Sequence, residues 1–208
     1  MKHTKKIIPL LCICMFCLTA CSSTILGSFS GNSYSNKKLG ISFTKPDSWS
    51  ITSTDKLYTD ITAMNTAIGH TVDTNVEKSL NNLQVLRLFV VSKGSDTSDT
   101  LEKYYPQFTC IAEKRTISND ETTEVVLKKY MVEMLALDNY TMQGEASIVT
   151  VNGTDYYAAT FTKTTSDATF YRTIYTTYKD ERIITFDYTA LDSSKDDLNT
   201  LLQTLTLK

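Results

Sequence analysis

The stretch that decides the fold is EASIVTVNGTDYYAATFTK, residues 145–163. Glu145 to Val151 and Asp155 to Lys163 are runs rich in Val, Ile, Thr and Tyr, and Asn152-Gly153 stands between them. Both turn residues tolerate φ > 0, which is what a two-residue type I′ hairpin demands. Thr169 to Tyr178 and Ile183 to Tyr188 have the same composition and are joined through Asp180-Glu181. The last third therefore reads as a four-strand antiparallel meander. Its Thr and Tyr content suits a pleated surface with one wetted face.

Working outward, Leu39-Gly40-Ile41-Ser42-Phe43 alternates like a half-buried strand; Pro46 ends it, and Trp49 and Ile51 resume an apolar face. Asp55 to Asn82 is a weaker region in which Ile61, Met64, Ala67 and Ile68 fall at helical spacing. Leu83 to Val91 is apolar on both faces apart from Gln84 and Arg87, which predicts a strand covered on both sides. Ser98 to Tyr105 reads as one or two helical turns stopped by Pro106. Ser118-Asn119-Asp120-Glu121 is a capping-box pattern, opening a helix through Val125, Val126, Tyr130, Met131 and Met134 to about Leu137, with Asp138-Asn139 closing it. Ser194 to Asp197 caps a final helix with Leu198, Leu201, Leu202 and Leu205 on one stripe. The expected fold is α+β: an antiparallel sheet of about six strands flanked by helices, in one domain over residues 36–208.

The N-terminus is of a different kind. Lys2, Lys5 and Lys6 precede an apolar run from Ile7 to Leu18, followed by Thr19-Ala20-Cys21. This is the pattern of a secretory signal over residues 1–20, and its h-region is short for a membrane span. Leu18-Thr19-Ala20-Cys21 resembles the lipobox of bacterial lipoproteins. That resemblance implies diacylglycerol on the Cys21 thiol and cleavage between Ala20 and Cys21. It also implies a place on the extracytoplasmic face of the cell membrane, with acyl chains such as palmitate as the anchor. Residues 21–35, rich in Ser, Gly and Asn, read as a flexible tether with a reach on the order of 20 Å.

Without the signal, 18 basic residues face 23 acidic ones, and the chain keeps one histidine, His70, and two cysteines, Cys21 and Cys110. A Cys/His zinc site cannot be built from that inventory, and a disulfide framework has no second partner for Cys110. Net negative charge without a basic block argues against nucleic acid as a partner. His70 has Asp73 nearby, but no Gly-x-Ser-x-Gly elbow accompanies it, and a lone loop histidine is ordinarily just solvated. Cys110 reads as a small buried hydrophobe. Asp73 to Glu77 alternates oxygen ligands like the start of a calcium loop, yet lacks the glycine and the distal glutamate such a loop needs. Asp192, Asp196 and Asp197 sit at a helix start, where the dipole favours negative charge. Asn139-Tyr140-Thr141 and Asn152-Gly153-Thr154 match a glycosylation acceptor and read as turns.

The remaining candidates concern binding. Arg87 is a charge inside an apolar strand, to be paired, wetted or turned to an anionic ligand. Tyr156, Tyr171 and Tyr175 belong to tyrosine rows of which half should be core, and the other half suits glycan or protein contact.

Tyr34, Leu39 to Phe43 with Pro46 and Trp49, Val151-Asn152-Gly153 with Tyr156-Tyr157, Tyr171, Tyr175, Ile183 to Phe186 and the terminal leucine helix together resemble the PsbP/Mog1-like family, as found in small lipoproteins of Gram-positive bacteria. The likeness covers most of residues 34–208. It implies an α/β/α sandwich around an antiparallel sheet and a binding or assembly role, with no catalytic residue to carry over. The expectation is a non-enzymatic, lipid-anchored envelope module with an envelope protein partner and no metal or cofactor. The alternatives are a small-molecule or glycan receptor, and a hydrolase working through His70.

Overall fold

A computed structural model describes residues 25–73, 76, 80–93, 106–136, 139–191, 194 and 196–208. The signal segment, Cys21, the expected turns at 98–105, and Thr74, Asn75, Glu77, Leu137, Asp138 and Asp192 lie outside the described residues. The strands are β1 Ser28–Ser30, β2 Ser33–Asn36, β3 Ile41–Thr44, β4 Ser50–Ile51, β5 Val85–Ser92, β6 Gln107–Lys114, β7 Thr141–Val151, β8 Thr154–Thr164, β9 Thr169–Lys179, β10 Arg182–Leu191 and β11 Thr206–Leu207. The helices are α1 Thr54–Ala67, α2 Thr123–Ala136 and α3 Asp197–Leu202.

The meander forms as its turns dictate. Asn152 (φ 47°) and Gly153 (φ 83°) make the first hairpin, and Asp180 (φ 50°) and Glu181 (φ 57°) make the last. Asn152 also donates from Nδ2 to the carbonyls of Leu202 (2.8 Å) and Leu205 (2.7 Å), so the hairpin tip is tied to the end of α3 and the turn that follows it. The meander extends into a seven-stranded antiparallel sheet of order β4-β5-β6-β10-β9-β8-β7. A second sheet, β1-β2-β3-β11, lies across one face of it.

That covered, inner face is closed by aromatic rings. Phe89 stacks on Phe43 of the small sheet at 5.2 Å and 8°, and lies 4.8 Å from Tyr34 and 5.8 Å from Phe108. Phe186, Tyr156 and Cys110 complete the layer, all within 1% exposure. The outer face is covered by α2, whose Val126, Leu127, Tyr130 and Met131 pack on Tyr157, Phe161, Ile174 and Ile183. Helix α1 lies along β5: Asn65, fully buried, donates to the carbonyls of Val85 (2.7 Å) and Ile61 (2.8 Å) and accepts from Val85 N (3.1 Å). Since β4 pairs with β5 only at Val91 and Ser92, one side-chain amide does at Val85 what a longer edge strand would have done.

The α+β class and the antiparallel sheet agree with the sequence reading, but four features differ. The tether is shorter than residues 21–35: Ile25, Leu26 and Tyr34 are core, and β1 and β2 fall inside that stretch. Tyr34 Oη donates to Leu26 O at 2.5 Å and Asn36 Nδ2 to Ile25 O at 2.8 Å, so a few side chains fix a composition that looks flexible. The strand count rises from about six to two sheets of seven and four, with β6 and β11 added. Helix α2 is capped by Thr122, whose Oγ1 accepts from Val125 N at 3.3 Å; Ser118 and Glu121 form the preceding turn. Helix α3 spans only Asp197–Leu202, and Leu205 lies in the turn to β11.

Candidate functional site

Helix α2 covers β8, β9 and one end of β10 and, among the described residues, does not extend over the outer face of β5 and β6, whose Val85, Val90, Thr109 and Ile111 are nonetheless buried. On that half, beside the apolar Val85, Val90 and Ile111, the outward positions include Arg87 of β5, Gln107 and Thr109 of β6, Thr189 and Asp187 of β10, and Arg172 of β9. These polar residues, with Ile111 and Tyr140, line a cleft of about 220 Å³. The parity that puts these side chains outward is the same that puts Phe108, Cys110 and Phe186 inward.

Its centre is a forked ion pair. Arg172 Nε donates to both oxygens of Asp187 (3.0 and 3.1 Å), and Nη2 donates to Oδ2 at 2.6 Å. Thr189 Oγ1 adds a weaker donor to Oδ1 at 3.4 Å. The two side chains are only 12% and 11% exposed, so each is held by the other. The Arg172 guanidinium also lies 5.6 Å from the Tyr140 ring centroid. At the far end, Arg87 Nη1 donates to Asp60 Oδ2 of α1 at 2.8 Å, and Lys56 reaches the other carboxylate oxygen at 2.6 Å. Burial alone would raise the Asp60 carboxyl; the hydrogen bonds and charges of Lys56 and Arg87 more than offset it and hold it below its ordinary value. The charges of the lining, Arg87, Arg172 and Asp187, are each already engaged in an ion pair, with amide and hydroxyl groups between them. Such a surface suits a polar, uncharged or zwitterionic group better than a bare ion.

The structure separates the residues that the sequence grouped. Arg87 is in this cleft, paired to a carboxylate. Tyr156, Tyr171 and Tyr175 share the opposite, inner face, since Tyr175 pairs with Phe186 and Ala158, and Tyr171 with Ala190. Tyr156 is 1% exposed, with its hydroxyl pushed up to about 12 by burial, and Tyr175 meets it edge-on at 6.2 Å and 86°. Tyr156 is thus a core residue rather than a contact residue, because the small sheet lies over it. Cys110 is fully buried and its thiol is raised by that burial. His70 follows α1, its N–H donating to Asn65 O at 2.9 Å, and is not part of the cleft. Among the described residues no group of three or more His, Cys, Asp or Glu side chains could hold a metal ion, and no helix is long and apolar enough to cross a membrane. Sequence reasoning missed Arg172 and Asp187. Their signal was available: each is a lone charge inside a strand, at outward parity once the strands are aligned.

No family model matches the chain, and no curated protein sequence matches it. Among solved structures it is similar to a Bacteroides thetaiotaomicron protein at 12% identity and a TM-score of 0.47, covering 86% of this chain and 49% of that one. The chain thus spans about half the length of that protein. It is also similar to LpqN, involved in cell envelope biogenesis of Mycobacterium tuberculosis (14% identity, TM-score 0.48, 81% of this chain and 83% of that one). A third is a cyanobacterial PsbP (CyanoP) from Synechocystis, the family that the sequence resembles, at 16% identity and a TM-score of 0.46, covering 88% and 99%. All three scores fall below one half, so the fold rests on this chain's own strand order and register, and no activity is carried over from these proteins.

Proposed function

We propose that the protein is a lipid-anchored, extracytoplasmic binding module of the cell envelope, with no catalytic role, held to the membrane through Cys21 and binding through the cleft on its outer face. The observation that carries the binding half is the cleft with the Arg172–Asp187 fork at its centre. The anchoring half is supported by Leu18 to Cys21 and by the point where the chain enters the fold. Ile25, four residues after Cys21, belongs to the side of the small sheet, whereas the cleft is on the other face of the large sheet. An anchor at Cys21 and a partner in the cleft therefore do not compete for one surface. Photo-crosslinking on intact cells, native chain against Cys21→Ala, tests the reading. A discrete protein adduct that depends on Cys21 is the expected result, and turnover by the purified protein that one substitution abolishes would overturn it.

The cleft's size and its already paired charges favour a second reading, a small hydroxylated ligand such as a saccharide. Saturable stabilisation, about 2.7 kcal/mol at a hundredfold excess over Kd, would select it.

A further inference from the structure

Arg182, at the start of β10, is 4% exposed. Its neighbours in register are Lys114 of β6 and Lys179 of β9, so three cations stand side by side on the inner face at one end of the large sheet. Like charges directly opposite one another destabilise a sheet, and a buried arginine is ordinarily paired. Here, among the described residues, no carboxylate pairs with Arg182, and its buried Nη1 has no hydrogen-bond partner. Neither lysine makes an ion pair among the described residues. Among the described residues the nearby acids are directed elsewhere. Glu113, half-buried, sits at outer-face parity opposite Ile183 and interacts with Tyr130, and Asp180 and Glu181 are exposed in the turn. The row lies against the small sheet. Gly40, at φ 69°, is closely packed there: a Cβ on it would meet the Lys208 carbonyl and come within 2.8 Å of Lys179 Nζ, so the Lys208 backbone lies beside the row.

We propose that the Lys114–Arg182–Lys179 row is an oxyanion site that takes a phosphate group. A guanidinium fork between two ammonium groups matches a tetrahedral oxyanion in charge and donor geometry. The anion would supply Arg182 with a counter-charge that no ion pair gives it among the described residues. A phosphate of this kind has two sources, an anionic lipid headgroup or free phosphate. The headgroup is near at hand, because Gly40 is four residues from Asn36, whose side chain holds Ile25 O at 2.8 Å, and Lys37 and Lys38 lie between them. The lipid source rests on anchoring through Cys21; the site itself does not.

The test is amine-labelling of the full-length protein, read residue by residue by mass spectrometry at constant ionic strength. The protein is held in phosphatidylcholine vesicles with or without phosphatidylglycerol, or given inorganic phosphate. Labelling of Lys114 and Lys179, but not of exposed Lys128, should slow about tenfold at phosphate near ten times Kd. Slowing only with phosphatidylglycerol identifies the headgroup, and slowing by phosphate in neutral vesicles identifies free phosphate. Either protection should vanish in Arg182→Leu, whose melting temperature should be unchanged or higher, since an unpaired buried charge is removed. Arg182→Met serves if the leucine variant does not fold. Protection that survives both substitutions, or no slowing under any condition, overturns the site. A protein that fails to stay with vesicles counts against the Cys21 anchor alone, because the phosphate arm still reads the site in solution.

Discussion

The two faces of the large sheet are made from the same strands, yet they have opposite chemistry. On the inner face, Phe89, Phe108 and Phe186 interlock with Phe43 and Tyr34 of the small sheet. On the outer face, helix α2 covers one half, and the other half carries Arg87, Arg172 and Asp187 among the buried Val85, Val90 and Ile111. The difference teaches that one face of the sheet is joined by ring packing and the other, beyond α2, by paired charge. Its charges are paired with forked geometry, and its hydroxyls line a concave floor.

The comparison breaks if the inner face is not the source of stability. Phe89→Ala should cost about 3–5 kcal/mol in urea unfolding, because several rings lose their packing partner at once. On the outer face the cost should come from orphaned charge instead. Asp187→Ala leaves Arg172 in its pocket unpaired and should cost about 2–3 kcal/mol, while Arg172→Met with Asp187→Leu should recover most of it. If the double variant were as unstable as the single one, packing and not pairing would hold the cleft.

Smaller effects sharpen the same contrast. Asn152→Gly keeps the positive φ of the hairpin but removes the hydrogen bonds to α3, and should cost about 1 kcal/mol by thermal denaturation. Asp60 supplies the pH test. Its carboxyl is held below the ordinary 3.8, so its contribution is full above that value and is lost as pH falls through the lower folded value. Asp60→Asn should therefore flatten the acid limb of the stability profile and lower stability near neutral pH. An unchanged acid limb would show that the Arg87–Asp60 pair does not stabilise the edge of the cleft.

How much of this was legible beforehand depended on whether structure was local. The Asn152-Gly153 turn, β3, β5 and the body of α2 were readable because their signals lie within a few residues. Strand β6 was not: Cys110 and Ala112 have modest strand preference, and the segment is a strand because β5 and β10 pair with both its edges. The stretch 25–36 read as a tether because its Ser, Gly and Asn content hides what Tyr34 and Asn36 do to the carbonyls of Leu26 and Ile25. In α1 the buried stripe is Leu57, Ile61 and Asn65, whereas Met64 and Ile68 fall outside it; an asparagine in place of an apolar residue obscured the pattern. The cleft was half legible. Arg87 stood out as a lone charge, but aligning it with Arg172 and Asp187 needs the strand register. The irregularity between Arg87 and Phe89 shifts that register by one residue. The same gap placed Tyr156 with Arg87, when they lie on opposite faces.

The central claim is that the outer-face cleft is the binding surface, and position-resolved crosslinking in intact cells tests it most directly. A benzophenone side chain is placed at Gln107 in the cleft, or at exposed Thr66 on α1 as the control, with and without Arg172→Met. The account predicts a discrete adduct from Gln107 that is absent from Thr66 and is lost with Arg172→Met. Equal adducts from both positions, or none from Gln107, would contradict it.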